Sequence, residues 1–202
     1  YLFVNTLSRN RKLALTGAFS ALVIVLTITN LGIIPIGAVA SITVLQVPVI
    51  LICMLAGLPE GLFVGLVFGV ASLIRAALCP SGPLDPLFVF PWNSVLPRMM
   101  LAVVAWGLWK LLNLIPHMPK TVSAGITGFI ATVLHTLMVI GCVYIFNGAE
   151  VQEAMKMGFW PLIAALSFNA ILESVTSTLV CVAVYTGLYI SGKKHSKLSA
   201  EK

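Results

Sequence analysis

Apolar runs long enough to cross a bilayer follow one another along almost the whole chain, and this leaves few folds open. A helix needs about 20 apolar residues to cover the hydrocarbon core. Six stretches are candidates: 13–29, 38–56, 59–78, 93–112, 121–146 and 160–190. In lipid, every backbone N–H and C=O must be satisfied within the protein, so such runs are expected as helices. Only 9% of the residues are charged, against about a quarter in a soluble domain. The expected fold is therefore all-α, a polytopic membrane protein with six transmembrane helices and folded extracytoplasmic loops. Residues 1–192 are expected to form one domain and 193–202 a basic cytoplasmic tail.

Charge placement sets the expected topology. The net charge of +6 sits in short clusters beside the apolar runs rather than along a polar face, which argues for membrane orientation and against nucleic-acid binding. Six spans put both termini on one side. Arg9, Arg11, Lys12, Lys110, Lys120, Lys193, Lys194, Lys197 and Lys202 fall on that side, and Arg75, Arg98 and Lys156 on the other. The excess of Lys and Arg makes the terminal side cytoplasmic. Short connections at 57–60 and 113–120 then face inward, and the longer loops at 30–39, 79–92 and 147–159 face outward. This asymmetry suggests a site that opens outward.

The outward stretch 79–98, CPSGPLDPLFVFPWNSVLPR, has five prolines. Each proline removes a backbone donor and clashes with the preceding turn, so this is a loop rather than a helix interior. Leu84, Leu87, Phe88, Val89, Phe90 and Trp92 make it too apolar for a solvated linker. It is expected to fold down onto the spans as a lid. Trp92 and Asn93 at its end are either interfacial anchors, the default for tryptophan at this depth, or part of that lid.

Within the spans, small and polar residues form stripes. Gly57, Gly61, Gly65 and Gly69 recur every fourth residue, a face that lets another helix approach closely. Ala14 and Ala18, with Gly17 and Ala21 beside them, make a smooth face near the cytoplasmic boundary that docks either within the chain or against another protein. Asn169, Glu173, Thr176 and Ser177 share one face of the last span. A carboxylate is expensive in a membrane, so Glu173 is expected to face a protein interior or a wet cavity. His135 shares a face with Thr132 and lies at a depth comparable with Asn169. It either bonds a neighbouring helix or contacts a ligand. Arg98, about one turn into the fourth span, either snorkels to the interface or turns its planar fork inward onto a carboxylate. Arg75 reads equally as a snorkelling end residue. Cys53, Cys79, Cys142 and Cys181 lack the close spacing of metal or redox pairs and are read as packing residues.

Enzyme signatures are missing. There is no Gly-x-Ser-x-Gly elbow, His-Glu-x-x-His pair, paired-acid metal motif or phosphate loop. The chain is therefore expected to bind no metal or cofactor and to hydrolyse no ATP. Uphill transport would draw on an ion gradient or on a partner.

The six spans, the Ala14/Ala18 pair, the run LQVPVILICMLAGLPEGLFVGLVFGVASLI, the stretch Phe88 to Pro91 and the Pro97–Arg98 step resemble the substrate-binding S components of energy-coupling factor (ECF) transporters. The resemblance implies a subunit that captures a vitamin at the outer face. It implies as partners a transmembrane coupling protein and two cytoplasmic ATPases, which consume the ATP. By position it makes Ala14 and Ala18 the contact with the coupling protein, and the 30–39 and 79–92 loops the cap of the site. The 43–98 region is similar to the pantothenate branch, in which His commonly stands where this chain has Gln46. The substrate-binding candidates are Arg98, Asn93, Trp92, His135, Asn169, Glu173, Gln46 and Phe90. Riboflavin, folate, lipoate, queuosine-type bases and pyrimidine precursors stay open as substrates, because Phe88, Phe90 and Trp92 offer stacking surfaces for a flat ring. Two other classes also stay open: a stand-alone secondary transporter, and an intramembrane enzyme using Glu173 and His135.

Overall fold

The structure is a computed structural model and describes residues 8–29, 31–36, 40–80, 85–155 and 159–200. Its elements are α1 (Arg9–Ile28), β1 (Ile33–Ile36), β2 (Ala40–Thr43), α2 (Gln46–Leu55), α3 (Leu58–Leu78), a 3-10 turn (Asp85–Val89), α4 (Pro91–Leu112), α5 (Lys120–Met155) and α6 (Phe159–Ala200). Among the described residues, five of these six helices are long and apolar enough to cross a membrane. Their outward faces carry exposed large apolar side chains such as Leu13, Ile28, Phe63, Leu137 and Ile145. That is the pattern of a protein solvated by lipid.

The second expected span is built differently from a full helix. Its first part is β2, paired antiparallel with β1 from Ile33↔Thr43 to Ile36↔Ala40, so a short hairpin interrupts the helical architecture. Its second part is α2, only ten residues long and buried at every position. At 1.5 Å per residue α2 covers about half of the hydrocarbon core. Pro48 lies in its first turn, where a missing N–H breaks no helical bond.

Contacts at both ends of α1 show how this segment runs. The hairpin sits at the C-terminal end, where the Gly32 N–H donates to the Leu26 carbonyl (3.1 Å) and the Val44 N–H to the Gly32 carbonyl (2.9 Å). At the N-terminal end, Lys12 Nζ donates to the Ala56 carbonyl (2.6 Å) and lies 3.6 Å from Glu60 Oε1. Hairpin and α2 together therefore bring the chain back to the end of α1 from which it set out.

The glycine stripe of α3 is a packing device, as its spacing predicts. A Cβ on Gly65 would lie 2.8 Å from the Arg98 carbonyl oxygen, and one on Gly69 2.6 Å from Val95 Cα, so α3 and α4 touch backbone to backbone. Gly61 abuts Cys53 of α2, and Gly57, at φ 121°, makes the turn between α2 and α3. Gly69→Ala is expected to destabilise the protein by about 2 kcal/mol, the usual scale for overpacking against rigid neighbours. Gly107→Ala, whose added Cβ meets nothing within 4 Å, is the control. A melting temperature in detergent that falls equally for both would remove this account of the stripe.

Cys53 and Cys181 are buried in the core, as expected of packing residues, whereas Cys142 is half-buried and Cys79 exposed.

Candidate binding site

The close approach of α3 and α4 determines where Arg98 goes. Pro91 opens α4, with Phe90 extended before it, which suits a residue whose φ is already helical and whose missing N–H is unneeded in the first turn. Arg98 follows about two turns later, roughly 10 Å along the axis, deeper than its position in the sequence suggests. It is only 7% exposed. It turns inward instead of snorkelling. Nη1 donates to the Asn93 carbonyl (2.7 Å) and Nη2 to Ser72 Oγ (3.3 Å). The guanidinium carbon lies 5.3 Å from the Phe68 ring centre and 5.2 Å from that of Phe88. Among the described residues no carboxylate pairs with it directly, and Nε has no hydrogen-bond partner. A desolvated charge is expensive unless paired, so this cation is poised for an anionic partner.

Phe88 belongs to the proline-rich loop, whose described part is seated on the bundle. Arg75 Nη2 reaches both carboxylate oxygens of Asp85 (3.2 and 3.1 Å), so Arg75 is an anchor for the loop rather than a snorkelling end. Asn93 Nδ2 donates to the Leu87 carbonyl (2.9 Å) and to Asn147 Oδ1 (2.7 Å), and Ser94 Oγ to the Phe88 carbonyl. Leu87 is buried against Val143 and Val151. Asn147 is the one non-helical residue inside α5 and its amide bonds Glu150. One amide, that of Asn93, thus ties the loop to the break in α5. Loop residues 81–84, and 30 and 37–39 of the other expected cap, lie outside the described residues.

The remaining walls come from α2, α5 and α6. His135 is buried with its ring centre 6.4 Å from that of Phe68, and its Nε2 and the Oγ1 of Thr132 have no partner among the described residues. Glu173 Oε1 accepts the Thr43 N–H (2.7 Å) and an Asn169 N–H (3.4 Å), so the hairpin is fastened to α6 at the site. Gln46 Nε2 faces Ser177 Oγ at 3.5 Å. The oxygens Gln46 Oε1 and Asn169 Oδ1 are buried and unpartnered. Glu173 and His135 both lie within the electrostatic reach of Arg98.

The structure thus gathers Arg98, His135, Glu173, Asn169 and Gln46 into one interior cluster. Asn93 borders it, with its donors committed to holding the loop. Trp92 and Phe90 are elsewhere: they stack on each other at 5.2 Å, Trp92 also leans on Phe146, and at 43% and 37% exposed they occupy the outer rim. Sequence reasoning missed Phe68, Ser72 and Thr43. Ser72 had a signal, as the one hydroxyl in α3, a turn beyond the glycine stripe; Thr43, held by its backbone, had none.

Ala14, Gly17, Ala18 and Ala21 are all exposed on α1, and a Cβ on Gly17 would meet nothing within 4 Å. Among the described residues nothing packs against this smooth face.

A family model described as ECF transporter, substrate-specific component, matches residues 11–189. The pantothenic acid transporter PanT of Lactococcus lactis subsp. cremoris is 23% identical over 157 residues, covering 71% of this chain and 77% of the relative. The pantothenate transporter PanT of Leuconostoc mesenteroides subsp. mesenteroides is 28% identical over 188 residues, covering 88% and 91%.

Proposed function

The chain belongs to the family of substrate-specific components of ECF transporters, and from that premise we propose that it captures pantothenate for import. It is a multi-pass membrane protein whose own part is binding. The energy comes from two cytoplasmic ATPases acting through a transmembrane coupling protein, which supply the ATP chemistry that this sequence lacks. The observation that carries the pantothenate reading is Arg98: a buried, inward-turned guanidinium with an unpartnered Nε, among side chains that offer further unsatisfied hydrogen-bonding atoms. Two relatives that share most of their length with this chain are named for the same acid.

In this reading the backbone makes six crossings, the second by hairpin and α2 together, a path supported by the contact of Lys12 with Ala56 and Glu60. Both termini are then cytoplasmic, and the Asp85–Val89 turn and the hairpin cap the site from outside. The ligand's carboxylate meets Arg98 beneath Phe88, while His135, Asn169, Glu173 and Gln46 receive the rest of it. Calorimetric titration of the purified protein with pantothenate is the direct test. Binding at submicromolar concentration is expected, and no heat of binding up to millimolar pantothenate would end the proposal.

A further inference from the structure

The hydrogen-bonding atoms left over at the site are not an even mixture. Arg98 contributes a charged donor, Nε, while α2 and α6 contribute acceptors: the amide oxygens of Gln46 and Asn169, beside the Glu173 carboxylate. The orientation of Asn169 is dictated, because its Nδ2 faces a Glu173 oxygen that only accepts. Its oxygen is therefore the atom left unsatisfied. Thr132 Oγ1 and His135 Nε2, also unpartnered, serve either sense, since a hydroxyl rotates and an imidazole changes tautomer. Gln46 and Thr132 are fully buried and His135 and Glu173 nearly so, which makes an unanswered acceptor here expensive.

We infer that the α2 and α6 walls of this site recognise hydrogen-bond donors, with the α5 groups adapting to either sense. The ligand would therefore carry hydroxyl or N–H groups along the chain beyond its single carboxylate, and a second carboxylate at that end would be refused. The inference rests on the pantothenate reading and sharpens it into a rule about the ligand's far end. Two effects act together. One hydroxyl each satisfies the oxygens of Gln46 and Asn169, and removing either hydroxyl leaves its acceptor desolvated and unpaired. A second carboxylate brings only further acceptors to a wall of acceptors. Sites built to bond a hydroxyl discriminate strongly against analogues lacking it, because their own buried polar groups are stranded.

The test is calorimetry of the wild-type protein with pantothenate, its mono-deoxy and dideoxy forms, and the diacid in which the terminal hydroxymethyl group is replaced by a carboxylate. Each hydroxyl removed is expected to weaken binding about ten- to a hundredfold, and the diacid to bind at least a hundredfold less tightly than pantothenate. Deoxy forms within threefold of pantothenate, or a diacid that binds equally well, would overturn the inference while leaving the pantothenate reading standing. If no member of the series binds, including pantothenate itself, both fall together, a pattern distinct from equal binding by all. In the Gln46→Met variant, pantothenate should lose about tenfold and the dideoxy form nothing. Equal losses for both would mark Gln46 as a packing residue and count against the donor rule.

Discussion

Arg98→Ala is expected to weaken binding of a carboxylate ligand by about one to two orders of magnitude. A charge-assisted hydrogen bond is worth about 1.5 to 3 kcal/mol, and in a water-poor interior little competes with it. Arg98→Lys should recover only part of the loss, because an ammonium cannot keep the Asn93 and Ser72 bonds while stacking between two rings. The alanine variant also removes a clamp on the loop, through Phe88. A ligand whose carboxylate is replaced by an amide separates the two effects: it keeps the loss caused by a loosened loop and escapes the loss caused by charge. The expected result is a large drop for the acid and a small one for the amide. Equal drops by calorimetry would make Arg98 a structural clamp, and the carboxylate reading would lose its main physical support.

Transport should collapse, with ligand binding intact, when Ala14 and Ala18 are both replaced by Trp. These positions are exposed, so among the described residues the indoles displace no neighbour, and the fold is expected to survive. Small residues allow two helix backbones to approach closely, and two indoles prevent it. The partner is, by the proposal above, the coupling protein. Uptake into cells or liposomes should fall to background while the purified variant still binds ligand with wild-type affinity. Complex assembly at wild-type level in a pull-down would show that this face meets only lipid.

The parts of this architecture that follow from bilayer physics were legible in the sequence. Runs of apolar residues mark α1, α3, α4 and α5 because lipid imposes a length, and the four-residue glycine repeat marks a helix contact because only close backbones require it. The hairpin was not legible, since apolar residues from 33 to 55 satisfy a strand, a buried short helix and a span alike; α2 can be short because protein surrounds it on every side. At the site, the polar residues of α5 and α6 declared themselves by being expensive where they stand. The position of Trp92 and Phe90 at the rim was not legible, because aromatic content near a loop says nothing of direction, and the ring that covers the guanidinium is Phe88, two residues before Phe90. Phe68 carried no signal of its own in an apolar helix.

The contact between Gly65 and the Arg98 backbone has a consequence for how such a protein drifts under selection. A methyl group at residue 65 would press on the carbonyl of the residue that carries the guanidinium, so a change in helix spacing is at once a change in the depth and tilt of the Arg98 side chain, which the proposal above makes the ligand's counter-ion. Packing and affinity share one coordinate there. Substitutions at Gly65 should consequently register in a growth screen at limiting vitamin as well as in a stability screen, and compensating changes should arise in the rings and hydroxyl that set the angle of Arg98, at Phe68, Ser72 and Phe88, instead of along the glycine stripe itself.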